Sequence, residues 1–301
     1  MPGVAVVTDT THYMPNELVQ ELGVHEVSLY VTFEGVTARE ADIVDLDDFY
    51  ARLSSSSEMP STSQPSVGDF LTVYEPLLEA GEDIVSIHLS RGISGTCTAA
   101  EQARDQLVEG GIAPERIVVL DSATACAGLG MMVIAANSAA RAGASAAEAA
   151  DWAQALRREL KVWFAVDTLE FLRRGGRVGG AQAWLGSALK IKPILSIESE
   201  VLPIERVRTS GRAFERLVEY LQARRDDGSD AFFVQHINAA EQAERMVERG
   251  RAIYGVDPEF VSEMGPVIGA HVGPGLLGVS GIPRRLLYPG AEGERQRRSA
   301  R

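Results

Sequence analysis

Ser94, followed by Gly95 and Thr96, lies in the stretch of the chain best suited to bind an anion or act as a nucleophile. Ile84 to Leu89 reads as a buried strand, Ser90 to Thr96 as a turn rich in hydroxyls and glycine, and Thr98 onward as a run of helix formers. A helix that starts at such a turn leaves backbone N–H groups unpaired, and its macrodipole adds positive potential. With the Ser94 and Thr96 hydroxyls, the unit suits a carboxylate or a phosphate. The alternative is that one of these hydroxyls merely caps the helix. A nucleophilic use of Ser94 would take His271 as base and Asp9 or Asp121 to orient it, giving a serine-dependent acyl hydrolase or transferase. Gly92-Ile93-Ser94-Gly95-Thr96 is not the Gly-x-Ser-x-Gly elbow of such enzymes. No P-loop and no Gly-x-Gly-x-x-Gly between a strand and a helix supports a nucleotide or phosphosugar enzyme.

Three further groups of residues carry polar chemistry. Pro60 and Pro65 bracket Thr62-Ser63-Gln64 within Ser54 to Ser66, a segment that reads either as a linker or as a stiffened ligand-binding loop. His271 is flanked by Gly269, Gly273 and Pro274, which predicts open backbone around its ring; His12, His25, His88 and His236 read as structural. Arg173, Arg174 and Arg177 end a short helix, either as solvated cations at its C-terminal dipole or as contacts for an acidic partner. The two cysteines, Cys97 and Cys126, make neither a disulfide framework nor a metal cluster. Both read as buried fillers in small-residue helices.

The elements that must position these groups follow from periodicity. Strands are expected at Val4–Val7, Val27–Phe33, Ile84–Leu89 and Arg116–Leu120, alternating with helices at 15–22, 46–53, from 67, from 98, at 128–142 and at 144–160. That alternation predicts an N-terminal parallel sheet with flanking helices over residues 1–160, with ligand groups at the carboxyl ends of the strands. Thr8, Asp9, Thr62, Ser94, Asp121 and Ser122 could gather there. After Lys161 the strands at 162–166, 191–197, 201–209, 231–237 and 259–261 and the helices at 213–223 and 239–254 predict a second, mixed α/β domain over 161–290. Glu198-Ser199-Glu200 reads as a hairpin turn.

The chain has 301 residues, 45% hydrophobic and 24% charged, as expected of a folded protein with a real core. A net charge of −13 argues against general nucleic-acid binding. The exception is the basic tail, residues 291–301, expected to be disordered and either solvated or in transient contact with an anionic lipid surface or acidic partner. The start runs into a strand rather than a signal peptide, and no apolar run would cross a bilayer, so a cytoplasmic location is expected.

Val6-Val7-Thr8-Asp9-Thr10-Thr11, Thr62-Ser63-Gln64-Pro65-Ser66, Ser94-Gly95-Thr96, Leu172-Arg173-Arg174-Gly175-Gly176-Arg177, Lys192-Pro193-Ile194-Leu195 and Gly269-Ala270-His271-Val272-Gly273-Pro274-Gly275 occur in that order. The ordered set resembles the DegV family, bacterial fatty-acid-binding proteins that serve as the binding subunit (FakB type) of fatty acid kinase. The resemblance runs to about Leu287. It implies a fatty acid in a tunnel between two α/β domains, its carboxylate held by Thr62, Ser94 and His271 with Ser63, Gly95 and Thr96 in support. It also implies a partner kinase that brings ATP and forms an acyl-phosphate, with Arg208 associated with the phosphotransfer step, and no turnover, metal or cofactor of the chain's own; Arg173 is a further candidate contact for that partner. Thr10-Thr11-His12-Tyr13 departs from the family pattern and implies a bulkier mouth. An acyl ligand is physically reasonable: about sixteen carbons at roughly 0.8 kcal/mol per buried methylene offer on the order of 10 kcal/mol gross. The carboxylate must then be hydrogen-bonded to offset its desolvation, and a protonated His271 would strengthen that contact.

Overall fold

The computed structural model describes residues 3–185 and 191–289; the basic tail lies outside them. The first half contains β1 (Val4–Asp9), α1 (Asn16–Leu22), β2 (His25–Val27), β3 (Tyr30–Phe33), β4 (Val36–Arg39), α2 (Leu46–Ser55), β5 (Ser61–Ser63), α3 (Val67–Glu79), β6 (Asp83–His88), α4 (Thr96–Glu109), β7 (Ile117–Asp121), α5 (Ala127–Arg141) and α6 (Ala146–Glu159). The second contains β8 (Trp163–Ala165), α7 (Glu170–Arg174), β9 (Lys192–Glu198), β10 (Glu200–Val207), α8 (Ser210–Asp226), β11 (Ala231–His236), α9 (Ala240–Tyr254), β12 (Val261–Glu263), α10 (Pro266–Val272) and β13 (Leu277–Ile282).

The fold is α/β with two main sheets. One is parallel, in the order β2-β1-β6-β7. The other is mixed, in the order β10-β9-β8-β13-β11-β12, with only β11–β12 parallel. A small antiparallel sheet, β4-β3-β5, projects from the first half. The apolar alternation of the strands feeds three cores. One lies under α3 and α4, one under α8 and α9, and the largest runs between the two main sheets, joining Val6, Ile87 and Leu129 to Phe164, Phe233 and Leu276. α5 explains that joint. It is apolar almost all round, with Leu129, Met131, Met132, Val133 and Ile134 all buried, as expected of a helix covered on both sides.

The chain departs from the expected elements at several places: β4 and β13 have no expected counterpart, and β12 begins where the strand expected over 259–261 would end. The strand expected over Val27–Phe33 breaks at Ser28-Leu29. Ser28 Oγ donates to Leu29 O and accepts from Ala41 N, so the chain leaves the parallel sheet and starts the small one. The Ser54–Ser66 segment is not a linker. Ser61–Ser63 pairs with β3, Thr62 opposite Val31, and Ser66 caps α3 in a capping box with Asp69. His271 sits on α10 rather than on open backbone; the glycines allow close packing, with Gly269 against the Tyr50 ring. Cys97 is buried in α4 as expected, but Cys126 precedes α5 with φ +57° and is not a helical filler.

Candidate functional site

A cavity of about 330 Å³ lies between the halves, within the usual range for small-ligand sites. Its wall is mostly apolar: Leu29, Leu89, Val162, Phe164, Ile197, Val201, Phe233, Val267, Ile268, Val272 and Leu276 all contribute. Thr62, Ser63, Gln64, Ser94, Gly95, Arg177 and His271 also line it. They are linked by a chain of contacts that also runs through Gly175 and Ile93. Thr62 Oγ1 is 2.7 Å from His271 Nε2. The His271 ring packs so closely on Gly175 that a Cβ there would collide with Nδ1. Arg177 donates to Gly175 O (2.7 Å) and to Ile93 O (3.2 Å). Ile93 leads to Ser94 and Gly95, and a Cβ at Gly95 would strike the Gln64 side chain beside Thr62 and Ser63. Gly95 is therefore required by close approach, not by its φ.

Each polar group is placed by a different element. β5 carries Thr62, held by its pairing with β3. The turn between β6 and α4 carries Ser94, whose Oγ lies 2.9 Å from Thr96 Oγ1 and accepts a long bond (3.3 Å) from Thr96 N. The expected helix start is thus present, but Gly95 is the cap and no side chain caps α4 in the usual way. α10 carries His271. Three side chains of the first half fix that helix: Glu40 accepts from Val267 N (2.8 Å), Tyr13 OH accepts from Ile268 N (3.2 Å), and Tyr50 OH donates to Met264 O (2.6 Å). The hairpin between β9 and β10 is fastened to the Ser94 turn, since Ser90 Oγ donates to Ser199 O and Ser199 N donates to Ala123 O.

Burial pushes the His271 pKa down to about 4, and the nearby Arg177 guanidinium adds to the effect. The ring is therefore neutral at pH 7, not the imidazolium that would strengthen a carboxylate contact. Its Nδ1 is buried without a partner among the described residues. Arg177 is the functional residue that the sequence pattern did not single out. It shares its helix-end pattern and its exposure with Arg173 and Arg174, but those two are paired with Glu170. Only Arg177 of the three lines the cavity, and its signal is the turn at Gly175-Gly176 that folds it back.

The remaining candidates lie elsewhere. Asp9 is fully buried and accepts from His88 Nδ1 (3.1 Å), Leu89 N and Thr11. His88 Nε2 meets Ser86 Oγ (2.6 Å), which accepts from Tyr74 OH. This buried Ser-His-Asp chain has no exposed atoms to offer a substrate. Asp121 accepts from Arg91 N and Ala123 N and holds the turns together. Thr8 donates to Ile87 O and Ser122 to Thr124 O. Among the described residues no triad forms on Ser94: the His271 Nε2 partner is Thr62, and no carboxylate meets Nδ1. His12 bonds Glu26 and Met14 N, and Tyr13 bonds Glu40; neither lines the cavity, so the mouth is not bulkier through them. Arg208 is exposed just past β10 and does not line the cavity.

A family model described as "Uncharacterised protein, DegV family" matches residues 3–284. The chain belongs to the DegV family. Protein DegV of Bacillus subtilis is 36% identical over 282 residues, covering 92% of this chain and 98% of that protein. The crystal structure of DegV from Bacillus subtilis, described as a fatty acid binding protein, matches with a TM-score of 0.83 and 34% identity over 93% of this chain and 98% of that one. A structure described as fatty acid binding of a DegV family protein from Thermus thermophilus matches with a TM-score of 0.82 and 33% identity, over 92% and 98% of the two chains. The DegV neighbours share the two-sheet α/β architecture described above. Among the described residues, no helix is long and apolar enough to cross a membrane.

Proposed function

We propose that this DegV-family protein binds a long-chain fatty acid. The acyl chain fills the apolar cavity and the carboxylate sits in the ring formed by Thr62, Ser94, Arg177 and His271. The observation that carries this reading is the ring itself: hydroxyls, an imidazole and a guanidinium, contributed by both halves, border a cavity whose other walls are almost wholly apolar. The fatty-acid-binding relatives support the same ligand class. With His271 Nε2–H donating to Thr62 Oγ1, the Thr62 proton is left to donate to the carboxylate, and Ser94 adds a second hydroxyl. Arg177 supplies the charge that the neutral imidazole does not.

The chain is read as two domains, 1–160 and 161–290, that enclose the acid and perform no turnover of their own. The carboxylate is presented to a separate fatty acid kinase, which brings ATP and forms the acyl-phosphate. Arg173 and Arg208, both exposed and outside the cavity, are the residues that would meet such a partner. No metal or cofactor of the chain's own is needed. Mass spectrometry of lipid extracted from purified, unsupplemented protein tests the ligand, with near-stoichiometric free fatty acid expected. Incubation of that complex with a bacterial fatty acid kinase and ATP tests the second step. A fatty-acid-loaded protein that yields no acyl-phosphate would leave a carrier without the kinase role.

A further inference from the structure

Gly278, the second residue of β13, lines the cavity. A glycine inside a buried strand weakens it, and often marks close approach of a ligand or another backbone. Neither local cause of a glycine applies here. Its φ is not in the left-handed region, and a Cβ built on it would meet Phe164 Cβ at 3.5 Å, Leu276 Cδ2 at 3.6 Å and Gln235 O at 3.8 Å, all ordinary contacts. Gly95 differs, because there a Cβ has no room.

The strand register shows what the missing side chain leaves open. Leu277 and Val279 pack into the core under α8 and α9, so position 278 faces the opposite way, toward the space between the sheets. On that face Gly278 stands directly between Phe164 of β8 and Gln235 of β11. Both neighbours line the cavity. Gln235 is held in place, accepting from Ala127 N and donating to Ser262 Oγ (2.9 Å). The row is therefore a fixed notch in the cavity floor, one side chain deep.

We infer that the acyl chain lies against the β13 backbone in this notch, and that the absent side chain of Gly278 sets which chain lengths the protein accepts. The inference rests on the proposed function and adds to it the residue that selects among acyl ligands. Acids too short to reach the notch bind independently of residue 278; longer ones lose contact or must bend when it is filled.

The test is titration of saturated fatty acids from eight to eighteen carbons into delipidated wild-type protein and Gly278→Ala, with the ligand-free melting temperature of each. Ala fits the space, so the melting temperature should be unchanged or higher. Affinity for the longer acids should fall about tenfold or more, as for one misplaced methylene-sized group in an apolar pocket, with the shortest acids unaffected. Gly278→Val should deepen the loss and move its onset no further out. Equal affinities for both proteins at every length, or one uniform loss that includes the shortest acid, would overturn the inference. A wild-type protein that binds none of the acids would overturn the proposed function and this inference with it.

Discussion

Thr62 Oγ1 and His271 Nε2 stand 2.7 Å apart across 209 residues of chain. The bond joins β5 of the first half to α10 of the second. It sets the imidazole tautomer, because Nδ1 meets no acceptor and Nε2 is the nitrogen with a use for the proton. Thr62 and His271 should therefore act as one unit toward a carboxylate. Thr62→Val and His271→Ala are each expected to weaken fatty-acid binding about tenfold, the worth of a hydrogen bond to a charged group. The double variant should lose clearly less than the product of the two, since the second change removes a group already uncoupled. Fully multiplicative losses in calorimetric titration would show that the two residues bind independently.

The depressed pKa of His271 has two consequences of opposite sign. In the ligand-free protein the unfolded chain takes up a proton near the ordinary histidine pKa, whereas the folded one does so only near 4. The unfolded state thus holds more protons in that window, and stability falls as pH drops from about 6.5 to 4, by on the order of 3 kcal/mol. Denaturant unfolding across that range should show His271→Gln with a flatter profile than wild type. Matching profiles would remove His271 as the cause.

Ligand binding reverses the balance. A carboxylate brought against the ring favours imidazolium and raises its pKa. Fatty-acid binding near pH 6 should therefore take up a fraction of a proton and weaken as pH rises. Calorimetry in buffers of different ionisation enthalpy reads this directly. Binding enthalpies independent of buffer would mean that the imidazole stays neutral and that Arg177 alone carries the charge.

Gly175 does not line the cavity, yet its substitution should mimic loss of His271. A Cβ at 175 would collide with His271 Nδ1 and lie 3.2 Å from Phe171 O, so the ring must move off Thr62. The backbone at 175 is right-handed helical, φ −73°, and alanine suits it better than glycine. Gly175→Ala should therefore hold its melting temperature while fatty-acid affinity falls to the level of His271→Ala. Wild-type affinity would place the functional ring orientation elsewhere.

The sequence was informative where one local pattern fixes one element. The alternation of apolar strands and helices up to Leu160, the Gly23 stop after α1 and the Ser199 hairpin all lie where periodicity and turn chemistry put them. Thr62, Ser94 and His271 were legible as an ordered set, although each motif is weak alone. What stayed hidden depends on contacts between distant segments. The break at Ser28 is made by a hydroxyl reaching Ala41. Ser61–Ser63 becomes a strand only because β3 is there to pair with it. Arg177 is told from Arg173 only by the path of the glycine turn that follows α7. The anchoring of α10 by Tyr13, Glu40 and Tyr50 leaves no trace in local composition.

That anchoring yields the last prediction. Glu40 is buried, and its carboxylate accepts from Thr10 Oγ1, from Tyr13 OH (2.7 Å) and from Val267 N at the start of α10. Burial raises its pKa in spite of these three donors. The folded protein thus keeps a proton that the unfolded chain has already released, so stability from this group falls as pH rises above the ordinary glutamate range. Glu40→Gln removes the titration and keeps an acceptor for Val267 N, with Thr10 able to accept from the new amide; its pH–stability profile should be flatter than wild type. Glu40→Ala instead leaves the Val267 N–H and the Tyr13 O–H without an acceptor, a loss on the order of 3 kcal/mol. Because α10 carries His271, Glu40→Ala should also weaken fatty-acid binding from outside the cavity, and Glu40→Gln should recover most of it. If denaturant unfolding and titration give both variants the same stability and the same affinity, Glu40 does not hold α10 in its binding position.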